Sequence, residues 1–475
     1  MERENAWKSY SDKDLDKLEK LSSDYIEFIS ENKTERECVN ASIAMAEKAG
    51  YKSLAKAIKK QRKLKAGDKV YAQTHGKALI LAVLGTDPLE DGFNILGAHI
   101  DSPRLDAKQN PLYENTDIAL LDTHYYGGIK KYQWVTLPLA IHGVIALKAG
   151  RSIEVCVGED PSDPVFCISD LLPHLGQKQM EKNAKEVIDA EDLDVIVGSR
   201  PLLFEKDKLN DDSPAWEKLA EKEPVKASVL KYLAEYYGIE EEDFLSAELE
   251  IVPAGRAREM GFDRSMVIGY GQDDRVCAYT SLFAQLAIEN PKRTAVTVLV
   301  DKEEIGSVGA TGMESLFFEN TIAEIMALAG ESSPLRLRRA LTRSRMLSSD
   351  VSAGFDPAYA SVFEAKNSAY LGRGLVFNKY TGSRGKSGSN DASAEYVALV
   401  RRIMDDAGVS FQTAELGRVD AGGGGTIAYI PAKYGMDVID SGVPVLSMHS
   451  PWEVTSKADI YEARRGYEAF LRAEG

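Results

Sequence analysis

Phe93-Asn94-Ile95-Leu96-Gly97-Ala98-His99-Ile100-Asp101 reads as a short apolar β segment that delivers a histidine, then an aspartate, at its C-terminal end. Three later segments repeat the arrangement. Ala295-Val296-Thr297-Val298-Leu299-Val300 runs into Asp301-Lys302-Glu303-Glu304, Met346-Leu347 leads to Asp350, and Val443-Pro444-Val445-Leu446-Ser447-Met448 leads to His449. In open α/β sheets, ligands bind at the carboxyl ends of the strands. Two histidines and several carboxylates converging on one rim form a ligand set for paired divalent metals.

The remaining sequence divides around this pattern. Residues from about Ser11 to Leu64 carry apolar positions at three-to-four spacing and are expected to be helical. Lys77–Leu84 and Phe93–Ile100 are expected strands, separated by the turn cluster Gly85-Thr86-Asp87-Pro88. From about Asp106 to Leu249 the character changes. β-like runs at Ile118–Tyr126, Tyr132–Leu147, Ser152–Val157 and Val165–Ile168 precede a charged helical stretch, Ala215–Tyr237, and none of the four ligand-bearing ends falls there. The run Glu205–Asp212 is expected to be a solvated loop. The reading is an α/β protein with a mixed sheet flanked by helices, formed by residues 1–105 and 250–475 and interrupted by a β-rich inserted domain, 106–249. From Glu250 onward the α/β pattern resumes, with helices at Arg275–Leu286, Leu316–Ala329 and Asp391–Asp406.

Composition narrows the function. The 475 residues suit two domains, and 44% hydrophobic with 28% charged residues is ordinary for a globular chain. A net charge of −16 argues against a nucleic-acid surface, which needs a basic patch. No apolar run reaches the roughly 18 residues of a membrane span, and Met1–Lys8 lacks a signal-peptide pattern. Cys38, Cys156, Cys167 and Cys277 are scattered and imply neither a zinc knuckle nor disulfides. A cytoplasmic, reduced protein is expected.

Taken singly, each motif has an ordinary explanation. A His-x-Asp is commonly a hydrogen-bonded surface pair, adjacent glutamates are commonly solvated, and an aspartate at a strand end commonly makes a turn. Asp273 and Asp274 compete for the bridging role, and Asp273 could instead cap the helix that follows. Their joint occurrence is another matter. A dinuclear hydrolase needs a bridging carboxylate, terminal ligands and a carboxylate base for water, with metals about 3.5–4 Å apart. Glu303 and Glu304 would point to opposite faces of a strand, so both can serve one site only if they lie beyond it, on the turn at Gly306.

Gly97–Arg104, Gln272-Asp273-Asp274-Arg275, Asp301–Ser307, Ser348-Ser349-Asp350 and Met448-His449-Ser450, in that order, resemble the aspartyl aminopeptidase family of metalloaminopeptidases. Tyr125-Tyr126-Gly127-Gly128 and Leu172-Pro173-His174-Leu175 extend the resemblance into the inserted section. The resemblance implies a zinc-peptidase-type catalytic domain, an inserted dimerisation domain, and a homo-oligomer, typically a dodecamer. It implies two divalent ions, zinc first, with cobalt or manganese as alternatives. His99, Asp274, Glu304, Asp350 and His449 would be metal ligands, with Asp274 bridging. Asp101 would orient His99, and Glu303 would be the general base. His174 would reach a neighbouring subunit's site to steady the substrate carbonyl, although Gln177 and Lys178 stand where many relatives carry a second histidine.

The basic loop holding Arg384 and Lys386 is either a solvated turn or a contact to the substrate's side chain or carboxylate. Gly422–Gly425 either lets backbone approach substrate and ligands closely or makes a tight turn. The implied function is a two-metal aminopeptidase that removes N-terminal residues from short peptides. Its rivals are a carboxypeptidase or amidohydrolase with the same metal chemistry, and a non-catalytic assembly protein. The substrate would be a peptide, with neither nucleic acid nor membrane as partner.

Overall fold

The strand that carries His99 lies inside a nine-stranded mixed sheet. The computed structural model describes residues 3–204, 209–210, 212–382 and 385–474, and these divide into two compact units. The first comprises Met1–Ser102, Arg256–Met448 and Trp452–Gly475, and the second Pro103–Gly255 with His449–Pro451. Of the acidic run expected as a loop, Glu205–Lys208 and Asp211 lie outside the described residues.

Four neighbouring strands of the first unit's sheet run parallel: Thr294–Val300, Phe93–His99, Arg345–Ser349 and Asp437–Gly442. Phe93–His99 and Thr294–Val300 are buried at every position, the signature of strands covered on both faces. Ala78–Val83 pairs antiparallel with Thr294–Val300 on one side, and Leu375–Asn378 antiparallel with Asp437–Gly442 on the other. Helices cover both faces. Asp12–Glu31, Glu35–Lys48, Gln272–Leu286, Ala394–Asp406 and Lys457–Arg472 supply one core cluster, and Phe317–Leu328 and Pro334–Thr342 supply the other. Asn94 is the polar interruption in the decisive run. Its buried amide donates to Phe470 O at 3.1 Å and Ala473 O at 2.9 Å, satisfying carbonyls at the end of the last helix.

The fourth ligand-bearing segment departs from expectation. Asp437–Gly442 takes the place beside Arg345–Ser349, whereas Pro444–Leu446 joins a separate five-stranded sheet with Ser352–Ala353 and Glu453–Ser456. The chain changes sheets at Gly442-Val443-Pro444. A β-carbon on Gly442 would stand 1.7 Å from Asp350 O, and proline cannot donate to a continuing ladder.

The second unit holds a six-stranded antiparallel sheet in the order Ser152–Val157, Leu139–Ala146, Ala247–Pro253, Arg104–Asn115, Ile118–Tyr126, Val195–Gly198. The run expected as a strand over Tyr132–Leu147 is extended only over Leu139–Ala146, after a 3-10 turn at Lys131–Gln133. Val165–Ile168 makes isolated bridges rather than a strand. The expected single helix Ala215–Tyr237 is two, Ala215–Leu219 and Pro224–Tyr237, because Pro224 opens a helix and cannot sit inside one.

Asp440, on Asp437–Gly442, is 3% exposed, accepts from Thr426 Oγ1 at 2.5 Å, and leaves Oδ2 without a partner. Burial, opposed by the Thr426 bond and reinforced by the charge of Glu303, pushes its carboxyl up to about 7. The folded chain therefore holds this proton where the unfolded chain, ionising at the ordinary 3.8, has released it. The resulting stabilisation is complete below about pH 4 and is lost as pH rises to about 7. In chelator-treated protein, Asp440→Asn should lose less stability than wild type between pH 4 and 7, by on the order of 2–4 kcal/mol. Unfolding midpoints across pH test this, and parallel curves for the two proteins would refute it.

Candidate metal centre

Adjacent strands place their ends about 5 Å apart, so ligands one residue beyond neighbouring parallel strands fall within coordination range. His99 closes one strand, Asp350 comes directly after the next, and Glu303 and Glu304 lie just past the third. The two glutamates stand in a single 3-10 turn, Glu303–Ile305, between Lys302 at φ 68° and Gly306 at φ 99°. A non-glycine residue in the left-handed region needs support. Here Ser307 N donates to Lys302 O at 2.6 Å, and the buried Asp301 accepts from Thr311 Oγ1 at 2.6 Å.

Asp101 is buried and holds two pieces together. Its carboxylate accepts Glu303 N and Glu304 N, each at 3.2 Å, and lies 3.3 Å from His99 Nδ1, whose other contact is Asp101 O at 3.0 Å. With Nδ1 committed to Asp101 as donor, Nε2 is the nitrogen that would offer its lone pair to a metal once its proton is displaced. It faces Asp273 Oδ1 at 3.2 Å, Glu303 Oε2 at 3.9 Å and Asp350 Oδ1 at 3.9 Å.

Asp273 and Asp274 precede the regular part of Gln272–Leu286, and both have non-helical torsions. Both aspartates reach the site. Asp273 lies against His99, and Asp274 groups with His99 and Asp350, their ligand atoms within 4.8 Å of one another. His99, Glu303 and Glu304 form a second such group.

The electrostatics describe a site short of positive charge. Burial pulls the His99 imidazole down, but its bonds to Asp101 and Asp273 and the charge of Glu303 outweigh this and hold it well above its ordinary range. Burial pushes Asp274 well above the ordinary carboxylate range, with His99 opposing and Asp273 adding. Asp350 is raised by burial and then by the charge of Asp274. Asp274 is fully buried, and neither carboxylate oxygen has a hydrogen-bond partner of regular geometry, with only weak help from the Cys277 thiol and the His99 backbone. A buried carboxylate so poorly supplied with donors is the group a bound cation would satisfy. The donors are imidazole and carboxylate, which suits zinc, cobalt or manganese.

The remaining expected site residues are described within their own units. His449 belongs to the second unit, at φ 65°, with Nδ1 2.9 Å from Gly128 O. His174 is exposed on a loop of the same unit. Lys386 donates to Asp391 at 3.1 Å and stands 3.7 Å from the centroid of the Tyr380 ring. With Glu415 and Arg418 it lines a cavity of about 260 Å³ beside Gly422. Arg384 lies outside the described residues. Glu453 was not foreseen. It is buried, and its Oε2 accepts Asp273 N at 3.1 Å. Its only sequence signal is a charge inside Trp452-Glu453-Val454-Thr455, otherwise a β-like run.

Comparison with known proteins agrees with this geometry. The model of the family described as aminopeptidase I zinc metalloprotease (M18) matches residues 28–471. A relative from Clostridium acetobutylicum, described as a probable M18 family aminopeptidase 1, is 62% identical over 470 residues, covering 99% of this chain and 98% of its own. The crystal structure of an M18 family aminopeptidase from Thermotoga maritima superposes with a TM-score of 0.91 at 43% identity, covering 99% of both chains. The mApe1 dodecamer of yeast shares the fold at a TM-score of 0.74 and 21% identity, over 94% of this chain and 95% of that one. With its buried imidazole and acids collected at the ends of parallel strands, the chain belongs to the M18 family of zinc metalloproteases and is a metal-dependent aminopeptidase.

Proposed function

We propose that the chain removes N-terminal residues from short peptides using two divalent ions. His99, Asp274, Glu304, Asp350 and His449 would hold them, with Asp274 bridging. The observation that carries this is the orphaned, fully buried Asp274 carboxylate beside Nε2 of His99. The ions, zinc first and cobalt or manganese as alternatives, would polarise the scissile carbonyl and make water a nucleophile near neutral pH.

The chain's own residues do the rest. Asp101 fixes the His99 ring and the Glu303 backbone together. The Glu303 side chain is 16% exposed whereas that of Asp101 is fully buried, so of these two acids Glu303 is the one with access to water. It takes the proton from the attacking water and returns it to the departing nitrogen, after which both products carry ordinary termini. The substrate's free α-amino group would bind one of the metals or a carboxylate beside it, which makes the enzyme an exopeptidase. Arg384 and Lys386 would contact the side chain of the first residue or a substrate carboxylate, and His174 would act in a neighbouring subunit.

The second unit would serve as the dimerisation domain of a homo-oligomer, a dodecamer like that of the yeast protein. Among the described residues no helix is long and apolar enough to cross a membrane, in keeping with a cytoplasmic location.

Glu303→Gln should lower kcat by at least ~100-fold while zinc content stays at the wild-type ratio. Retained activity, or loss of zinc in step with activity, would remove Glu303 from the role of base. Exhaustive chelation should abolish hydrolysis of aminoacyl reporters, and zinc, cobalt or manganese should restore it. N-acetylated peptides should resist cleavage by the reloaded enzyme. Their hydrolysis at a comparable rate would favour a carboxypeptidase or amidohydrolase instead.

A further inference from the structure

The bend that carries Asp273 and Asp274 is gripped by buried residues outside the set of proposed ligands. Glu453 Oε2 accepts Asp273 N at 3.1 Å, and Glu453 O accepts Gln272 Nε2 at 2.6 Å. Gln272 is held in turn by Tyr25 OH, which donates to its Oε1 at 3.2 Å. Arg275 Nε donates to Gly271 O at 3.0 Å, Nη1 donates to Lys33 O, and the guanidinium lies 4.9 Å from the centroid of the Tyr270 ring. Ser102 Oγ also donates to Asp273 O at 2.6 Å. Gly271 stands at φ +69°, and a β-carbon there would fall 1.5 Å from Arg275 Nη2, so the guanidinium occupies the space a side chain would need.

Glu453 and Arg275 are at most 1% exposed. Burying a carboxylate and a guanidinium is costly unless each is well paired and hydrogen-bonded. All of these bonds except that to Lys33 O end on the bend or on the residues that hold it. The two aspartates sit where no helical hydrogen bond sets their direction, because both have non-helical torsions.

We propose that Glu453 and Arg275 are positioning residues of the metal centre: they clamp the Gly271–Asp274 backbone so that both aspartates face His99. The proposal rests on the metal-binding reading of the site. Glu453 is the acceptor that orients the Asp273 amide, and Arg275 is the wedge that keeps Gly271 left-handed. Neither touches a metal or the substrate.

Groups that orient ligands in this way are typically worth roughly 10–100-fold in metal affinity. The test uses the full-length zinc-loaded protein and three measurements: zinc release to a chromogenic chelator, the kcat and KM of an aminoacyl reporter, and the unfolding midpoint of metal-free protein. Glu453→Ala should release zinc about tenfold faster or more, with kcat falling while KM changes little. Glu453→Gln keeps an oxygen for Asp273 N–H and should stay within about threefold of wild type. Arg275→Lys, which loses the planar fork, should behave like Glu453→Ala. If Glu453→Ala shows no cooperative unfolding, Glu453→Asp, with its carboxylate drawn back, carries the same expectation of faster release. Wild-type release rates in folded Glu453→Ala, or in Glu453→Asp where that replaces it, would overturn the proposal. Equal effects of Gln and Ala at position 453 would also overturn it, since the bond to Asp273 would then not be the cause. A wild-type chain that takes up no zinc would instead defeat the metal-binding reading and this one with it.

Discussion

The carboxylate of Asp101 is the constraint on which the site depends. It lies two residues past one strand, yet it accepts the amides of Glu303 and Glu304 beyond the neighbouring strand and stands against His99 Nδ1. One buried anion thereby fixes the tautomer of the imidazole and the path of the turn that carries two more acids. Without it, the glutamate turn would have no reason to fold back over the His99 strand. The arrangement also stores a conflict. Asp101, Asp273, Asp274, Glu303 and Asp350 all act on one imidazole or on one another, and a single protonated histidine cannot neutralise them. Cations resolve that conflict, which is why burial and repulsion that would be wasteful in a structural core are coherent here.

Much of this was legible in the chain itself. Strands buried on both faces announce themselves as continuous apolar runs, and Phe93–His99 and Thr294–Val300 are of that kind. A histidine or acid at the end of such a run is equally readable, because it has nowhere to go except the rim. Asp437–Gly442 was harder to recognise. It mixes acids with apolar residues, and the more apolar Val443–Met448 next to it invited the wrong assignment. The competition between the two was decided by Pro444, which cannot serve in a central ladder, and by the close approach of Gly442 to Asp350.

The parts that stayed hidden are those fixed by tertiary contact. Sequence spacing gives no reason for Glu453 to meet Asp273, 180 positions away, or for Asp101 to meet Glu303, 202 positions away. Buried polar residues in isolation look like lapses in a hydrophobic pattern. They become meaningful only when each is matched with the backbone group it satisfies. The choice between Asp273 and Asp274 had the same character. Both carboxylates approach His99 because the residues between Gly271 and the helix leave the helical path, and local propensity does not encode that departure.

The turn at Glu303–Ile305 shows how a small backbone choice creates chemistry. Successive residues on a strand point about 180° apart, which would send one glutamate into the core. A 3-10 turn has three residues per turn, so neighbours diverge by only about 120°. Both carboxylates can then lie on the open side of the rim, each part-exposed and each within reach of His99. The turn is held by Lys302 and Gly306, both left-handed, at its two ends, and by the Asp101 carboxylate across its amides. Lengthening the strand by a single residue would rotate the pair and separate a base from a ligand. The same reasoning explains why Lys302, a residue with a β-carbon, tolerates a conformation that favours glycine. Its torsion is fixed by Ser307 and by the Asp301–Thr311 bond behind it, so its strain is offset by the interactions that define the site.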